Sequence, residues 1–316
     1  MNKLAAVLLL LFAGLCAAAQ PVTFTYTTIP DGLSDVCGNQ GSANGINQRG
    51  DIAGRCAGTT GPVSLFFPEG AAAPPPIDFS SAFNPVGGST TRAINDRGDI
   101  VSRWFDDAGY SHGYLLSNGA FSVVDVPNSF GADNTDARGI NNAGTIVGFY
   151  TVLTTFTFGK VDVSHGFVRG ATGTYASYDY PGADATSLQG VNSQGDIVGA
   201  FYTVADGSSS DPTLSVHAFI LKSGGEAPVT FDPPTCGTNG APTMASIADG
   251  INEQGQIVGW CTIVPLKVSD VTGDNPPVET WGFVRSADGT TYTPIIDSDS
   301  NSSLALPTHS RGGARS

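Results

Sequence analysis

Gly139-Ile140-Asn141-Asn142-Ala143-Gly144-Thr145-Ile146-Val147-Gly148 is a stretch that the chain writes five times with small changes. The other copies begin at Gly45, Ala93, Gly190 and Gly250. Each reads as a hairpin in which a short strand ends at Asn, a tight turn follows and an apolar strand leaves. Asn at the first turn position and Gly at the fourth predict a type I turn closed by a left-handed residue, which glycine adopts without steric cost. The hairpin is scaffold and carries no chemistry of its own.

Two further strands follow each hairpin in an unchanging order. The third reads Ser111-His-Gly-Tyr-Leu-Leu116 in its clearest copy, with His165, His217 and Trp281 at the place of His112, and Ser64 read at that place in a worn first copy. The fourth carries an Asp near its end, at Asp78, Asp125, Asp179, Asp232 and Asp297. The recurring hairpin Ile steps by 48, 46, 51 and 60 residues, the spacing of four-stranded propeller blades. With 41 Gly, 20 Pro and no helical period after the N-terminus, the chain reads as all-β: a β-propeller of five four-stranded blades. An extra strand at 23–30 is expected to pair with the last blade and close the ring, since a bare terminal strand exposes backbone donors and acceptors.

The GINxxGxIVG hairpin followed by a His-[Gly/Ala]-[Phe/Tyr] strand resembles the HAF-repeat family of extracellular bacterial proteins over residues 42–297. The resemblance implies a repeat architecture and an extracellular location, and it brings no activity with it.

Residues 1–19 have the form of a secretory signal peptide: Lys3, an apolar run from Leu4 to Phe12, then Ala17, Ala18 and Ala19. Cleavage is expected before Gln20, with a lipid anchor at Cys16 as the competing reading. The division is therefore a signal peptide at 1–19, one domain of five repeats at 20–297 and a disordered tail at 298–316. The chain carries a net charge of −14, which disfavours nucleic acid and anionic membranes as partners. No other run is long and apolar enough to span a bilayer. The expected location is secreted or periplasmic.

Loop lengths separate two ends of each repeat. The hairpin turn is invariant, whereas the second-to-third and fourth-to-first connections vary, and in a four-stranded meander both emerge on the same face. Binding function commonly sits on such loops. Cys37, Cys56, Cys236 and Cys261 lie on that face, so the expected disulfides are Cys37–Cys56 and Cys236–Cys261, with a cross-ring Cys37–Cys261 bond as the alternative. Aromatic residues near the loops, Trp104, Phe105, Tyr110, Tyr150, Phe156, Tyr202 and Trp260, are candidates for stacking on sugars or packing against a partner.

Other candidate chemistry yields to simpler readings. His112, His165 and His217 belong to different blades, too far apart for a shared zinc at about 2.0–2.1 Å from each donor, so each is expected to tie its own blade together. The recurring Asp reads as a strand-end hydrogen bond. Arg49-Gly50-Asp51 and Arg97-Gly98-Asp99 spell the integrin tripeptide, but the turn already demands that Gly. Acids in the long loops, Asp106, Asp107, Asp206, Asp211, Asp270 and Asp274, match no regular calcium loop. No G-x-S-x-G, phosphate-loop or H-E-x-x-H motif occurs. The expectation is a non-enzymatic binding or scaffold module, acting as a monomer on an extracellular glycan or protein, with no cofactor or metal. The alternative is an extracellular polysaccharide hydrolase or lyase with loop carboxylates.

Overall fold

The structure is a computed structural model that describes residues 41–58, 61–70, 77–79, 88–204, 211–237, 240–272 and 280–295. The expected signal peptide, the strand at 23–30, Cys37, Asp206, Asp274, Asp297 and the tail at 298–316 lie outside the described residues.

The chain is mostly β, in antiparallel sheets that follow the repeats. The first has three strands, β1 (Gly41–Ile46), β2 (Ile52–Gly58) and β3 (Gly61–Phe67). The second holds β4 (Ser89–Ile94), β5 (Ile100–Phe105), β6 (Ser111–Ser117) and β7 (Ala120–Val123). In the third are β8 (Asn134–Ile140), β9 (Ile146–Phe156), β10 (Gly159–Arg169) and β11 (Tyr175–Tyr178). The fourth meander is β12 (Ala185–Val191), β13 (Ile197–Val204), β14 (Thr213–Leu221) and β15 (Val229–Phe231). A two-stranded hairpin, β16 (Thr235–Cys236) with β17 (Ala241–Pro242), leads from it to the fifth meander. That meander is β18 (Ala245–Ile251), β19 (Ile257–Thr262), β21 (Thr280–Arg285) and β22 (Tyr292–Ile295). A bridge between Val216 and Ala245 joins the fourth and fifth.

The fourth strand expected in the first repeat is only approached. The Ile77 N–H donates to the Ser64 carbonyl at 3.0 Å, as Val124 does to Gly113 at 2.9 Å, but 77–79 forms no strand. Register also corrects one repeat position. Ile52 pairs Phe67 and Cys56 pairs Val63, whereas Ile100 pairs Leu116 and Trp104 pairs His112. Val63, not Ser64, therefore holds the histidine place of the first repeat.

The hairpins have the expected geometry. Gly50, Gly98, Gly144, Gly195 and Gly255 have φ of 86°, 88°, 87°, 85° and 81°, each the left-handed residue closing its turn. The turn Asn does more than start the turn. Asn95 Oδ1 accepts the Arg97 and Asp99 N–H groups at 3.0 and 2.9 Å, and Asn141 does the same for Ala143 and Thr145 at 3.1 and 2.9 Å. The other end of each amide reaches the next sheet: Nδ2 of Asn47, Asn95, Asn141 and Asn192 donates to the carbonyl of Asn95, Asn141, Asn192 and Asn252 at 3.1, 3.1, 2.9 and 3.3 Å. This line of amides sets all five turns side by side at one end of the molecule.

Packing explains why the strand after each turn reads Ile-Val instead of alternating with polar residues. Successive side chains leave a strand on opposite faces, and a sheet between two others needs both faces apolar. Val101 packs with Ile140 and Ile146 of the following sheet, and Val147 with Val191 and Ile197. Val198 packs with Ile257 in the same way. The first strands approach so closely that a Cβ on Gly139 would lie 3.0 Å from the Gly190 Cα, and one on Gly190 3.0 Å from the Gly250 Cα. At the two ends of the series this pattern stops. Ile46 of the first sheet is 67% exposed and Val258 of the fifth 43%, while their internal equivalents Ile140 and Val147 are 7% and 0%.

Candidate functional site

Because the asparagine line gathers the hairpin turns at one end, the variable second-to-third and fourth-to-first connections leave from the other. There the Cys236–Cys261 disulfide joins the connection into the fifth meander to its second strand, with Cα atoms 5.9 Å apart. That bond excludes the cross-ring Cys37–Cys261 alternative. Cys56 is also disulfide-bonded, and its expected partner Cys37 lies outside the described residues. The insertion in the fifth repeat folds back on the fourth sheet: β20 (Leu266–Lys267) pairs β14, and the short helix α1 (Val268–Thr272) follows it. Asp211 accepts the Ser269 N–H and hydroxyl at 3.0 and 2.9 Å, and Asp270 accepts the Lys267 N–H at 2.7 Å. These loop acids are staples, and no group of three or more His, Cys, Asp or Glu converges among the described residues.

The aromatic candidates divide by burial. Phe105 and Tyr150 are 8% and 5% exposed and belong to the core, because β5 and β9 run on past the hairpin with their faces still covered. Tyr202 and Trp260 are partly buried against the cluster around Leu214 and Leu266. Trp104 is likewise partly buried, against the cluster around Ile100 and Tyr114, and stacks on His112 at 4.7 Å; Tyr110 and Phe156 keep partly exposed rings, Phe156 stacking on Phe158 at 5.0 Å.

The three histidines each serve their own sheet. Nδ1 lies 2.7, 2.9 and 2.7 Å from a carboxylate oxygen for His112–Asp125, His165–Asp179 and His217–Asp232. The carboxylate accepts, so each pair ties the third strand to the end of the fourth. An aromatic ring of the second strand covers each imidazole: Trp104, Tyr150 and Phe201. The Arg-Gly-Asp tripeptides are likewise spent internally. Arg49 Nε and Nη2 donate to Asp51 at 2.9 and 2.7 Å, and Asp99, 4% exposed, accepts from Arg97, Asn95 and Ser117.

A different cluster, unforeseen in the repeat pattern, sits on the inner strands. Each first strand carries a β-bulge just before the conserved Gly or Ala, and the bulged residues are Asn44, Arg92, Arg138, Gln189 and Asp249. A bulge re-aims a side chain out of the regular alternation. Here the bulged residues meet those of neighbouring sheets: Arg138 Nη1 donates to Gln189 Oε1 at 3.3 Å, and Arg92 Nη2 is 3.9 Å from Asp136 Oδ2. The Asp136 carboxylate is 1% exposed and is the hub, with Arg103 Nη1 at 2.9 Å and Arg138 Nε at 3.0 Å. Arg103 and Arg138 also lie 4.9 Å over the rings of Phe105 and Phe149. Asp249 of the fifth meander is within electrostatic reach of Arg138 and Arg92.

Charge in this cluster is unbalanced. Among the described residues four guanidinium groups, Arg55, Arg92, Arg103 and Arg138, gather with two carboxylates, Asp136 and Asp249, in a chain whose net charge is −14. Burial pushes Arg92 well below the usual arginine range, and Arg138 beside it adds to this against the pull of Asp136. Asp249 is exposed to solvent, yet neighbouring protein crowds its carboxyl group. Burial therefore lifts it to about 6 despite Arg138 and Arg92.

Comparison with known proteins bears on the fold. No family model matches the chain, and no curated protein does. A solved structure described as a putative TolB from Agrobacterium tumefaciens superposes with a TM-score of 0.52, at 12% identity, over 81% of this chain and 80% of that one. The fold is β-propeller-like. The WD40 domain of SCAP from fission yeast also matches, with a TM-score of 0.31, 10% identity, and coverage of 78% of this chain and 61% of that one.

The repeat pattern did not point to the arginine cluster because its members occupy positions at which the copies vary: the bulge reads Asn, Arg, Arg, Gln and Asp, and the second-strand place of Arg55 and Arg103 reads Phe, Ala and Trp in the other three. That variability beside the recurring hairpin residues was the available signal.

Proposed function

We propose that the chain is an exported, non-enzymatic binding module of the HAF-repeat kind, which takes an extracellular glycan or protein at the end bearing the variable connections. Five blades form its ring, and the strand at 23–30 closes it on the last blade. Ile46 and Val258 are the apolar residues that closure would cover. The observation that carries the reading is the separation of uniform from irregular: one end is locked by the asparagine line, while the insertions gather at the other. Tyr110 and Phe156 are partly exposed aromatic rings at that end. His–Asp pairs repeated once per sheet support a structural role over catalysis, since an active site needs unlike groups converging at one place. Screening the mature chain on glycan and bacterial-surface arrays, beside a polysaccharide depolymerisation assay, tests the proposal. Binding without turnover is expected; release of reducing ends would refute it in favour of a hydrolase or lyase.

A further inference from the structure

We propose that Arg92, Arg103 and Arg138, gathered around Asp136 on the inner strands, form a binding site for a small oxyanion, the carboxylate of an acidic sugar or a free anion of similar shape. The reading deepens the binding function above by naming the chemistry of the ligand.

Three observations carry it. The first is an unused fork. Arg92 is 8% exposed, and its Nε and Nη2, the edge of the guanidinium that grips a carboxylate with two parallel hydrogen bonds, have no hydrogen-bond partner. Among the described residues its ion pair is with Asp136, at a loose 3.9 Å, and Asp249 acts on it only at longer range. A buried donor left without a partner is costly, and a charged one more so, unless something arrives to accept from it.

The second is charge. Asp136 is shared among Arg92, Arg103 and Arg138, so one carboxylate faces three cations within 4 Å. Like charges held together away from bulk water destabilise the folded chain, and a bound anion would relieve this.

The third is placement. Arg92 and Arg138 stand on bulges of β4 and β8, while Arg103 and Asp136 lie one step toward the ends where the variable connections begin. Asp249, on the matching bulge of β18, touches solvent, so water reaches this wall of the cluster. Rigid strands hold the donors, which favours a fixed anion geometry over adventitious attraction.

The test uses the mature chain at low ionic strength, with calorimetric titration and thermal melting against galacturonate, neutral galactose and sodium sulfate. Galacturonate or sulfate should bind and raise the melting temperature, and galactose should do neither. A response to galacturonate alone makes the source a sugar; an equal response to sulfate makes it a free oxyanion. Arg92→Gln should weaken binding by about tenfold or more, the loss expected for a charge-assisted pair of hydrogen bonds. Gln is compatible with the bulge, since Gln189 stands at the equivalent place. Arg138→Gln serves as a second variant should the first fold poorly, and Lys160→Gln, on the exposed β9–β10 hairpin, should leave binding unchanged. No response to either anion, an equal response to galactose, or full affinity in both arginine variants would overturn the proposal. Silence on the arrays together with a response to free sulfate would sink the glycan and protein reading and leave this one standing.

Discussion

Replacing Asn95 by Ala should cost far more than the same change at Asn252, although both begin the same turn. Asn95 is 4% exposed and its amide makes four hydrogen bonds. It accepts from Arg97 and Asp99, and it donates to the Asp99 carboxylate at 2.9 Å and to the Asn141 carbonyl at 3.1 Å. Each such bond is worth about 1 kcal/mol net, and stranding the buried Asp99 N–H adds a desolvation cost of about 1 kcal/mol, so the loss is about 5 kcal/mol. Asn252 is exposed; its three bonds, to Gln254, to the Gln256 N–H and to Gln256 Oε1, can be replaced by water, and among the described residues it reaches no further sheet. Its loss should be about 1 kcal/mol or less. Guanidinium unfolding followed by tryptophan fluorescence and by circular dichroism would measure both, with midpoints compared directly because repeat arrays need not unfold in one step. Equal losses at the two positions, or a loss below about 1 kcal/mol at Asn95, would refute the view that the amide line binds sheet to sheet.

Three further outcomes follow from the geometry. Replacing Cys236 and Cys261 together by Ser opens a loop with sequence separation 25 and should lower stability by about 3 kcal/mol, read as a fall in melting temperature. Asp249 should titrate near pH 6 by carbon-13 NMR. A carboxyl group raised on folding favours the folded state in its protonated form, so its contribution declines as pH rises from about 4 to about 6. Protonation also removes one negative charge facing Arg92 and Arg138, with Arg55, Arg103 and Asp136 beyond them, so oxyanion affinity should rise as pH falls through 6, and Asp249→Asn should abolish that dependence. Asp51 behaves in the opposite sense. The Asn47 amide, against burial and with help from Arg49, holds it below the usual carboxylate value, so its contribution is present above pH 4 and lost as pH falls further; Asp51→Asn should flatten the acid limb of the stability profile.

Much of the framework was legible because it is local. The Asn-to-Gly turn spacing dictates the hairpin, and the Ile-Val pair announces a sheet covered on both faces. Each His-to-Asp link spans only 13 to 15 residues, within one repeat. What escaped was long-range. The partner of each Asn Nδ2 lies 46 to 60 residues away, and nothing in a single repeat shows that the amide faces outward. The Val63 register was missed because the first third strand retains no histidine to anchor the alignment, and only the ladder with β2 fixes it. Phe105 and Tyr150 looked like loop residues because they fall after the recurring motif; the strands continue, and neighbouring sheets cover them. The arginine cluster was hidden for the reverse reason: comparing repeats rewards sameness, and the bulged side chains are where sameness ends.

The asparagine line has a direction. Each internal Asn carbonyl takes the Gly N–H of its own turn and an amide from the preceding sheet, then passes its own amide onward. At the far end Asn252 turns its amide back on Gln256, and at the near end Asn47 has only the Gly50 N–H on its carbonyl among the described residues. A module built this way is additive: a duplicated repeat would arrive carrying both halves of the joint it needs, so lengthening or shortening the array requires no new interface to evolve. The inward side chain at the bulge is then free to be rewritten copy by copy, and recognition can diverge while the joinery stays the same.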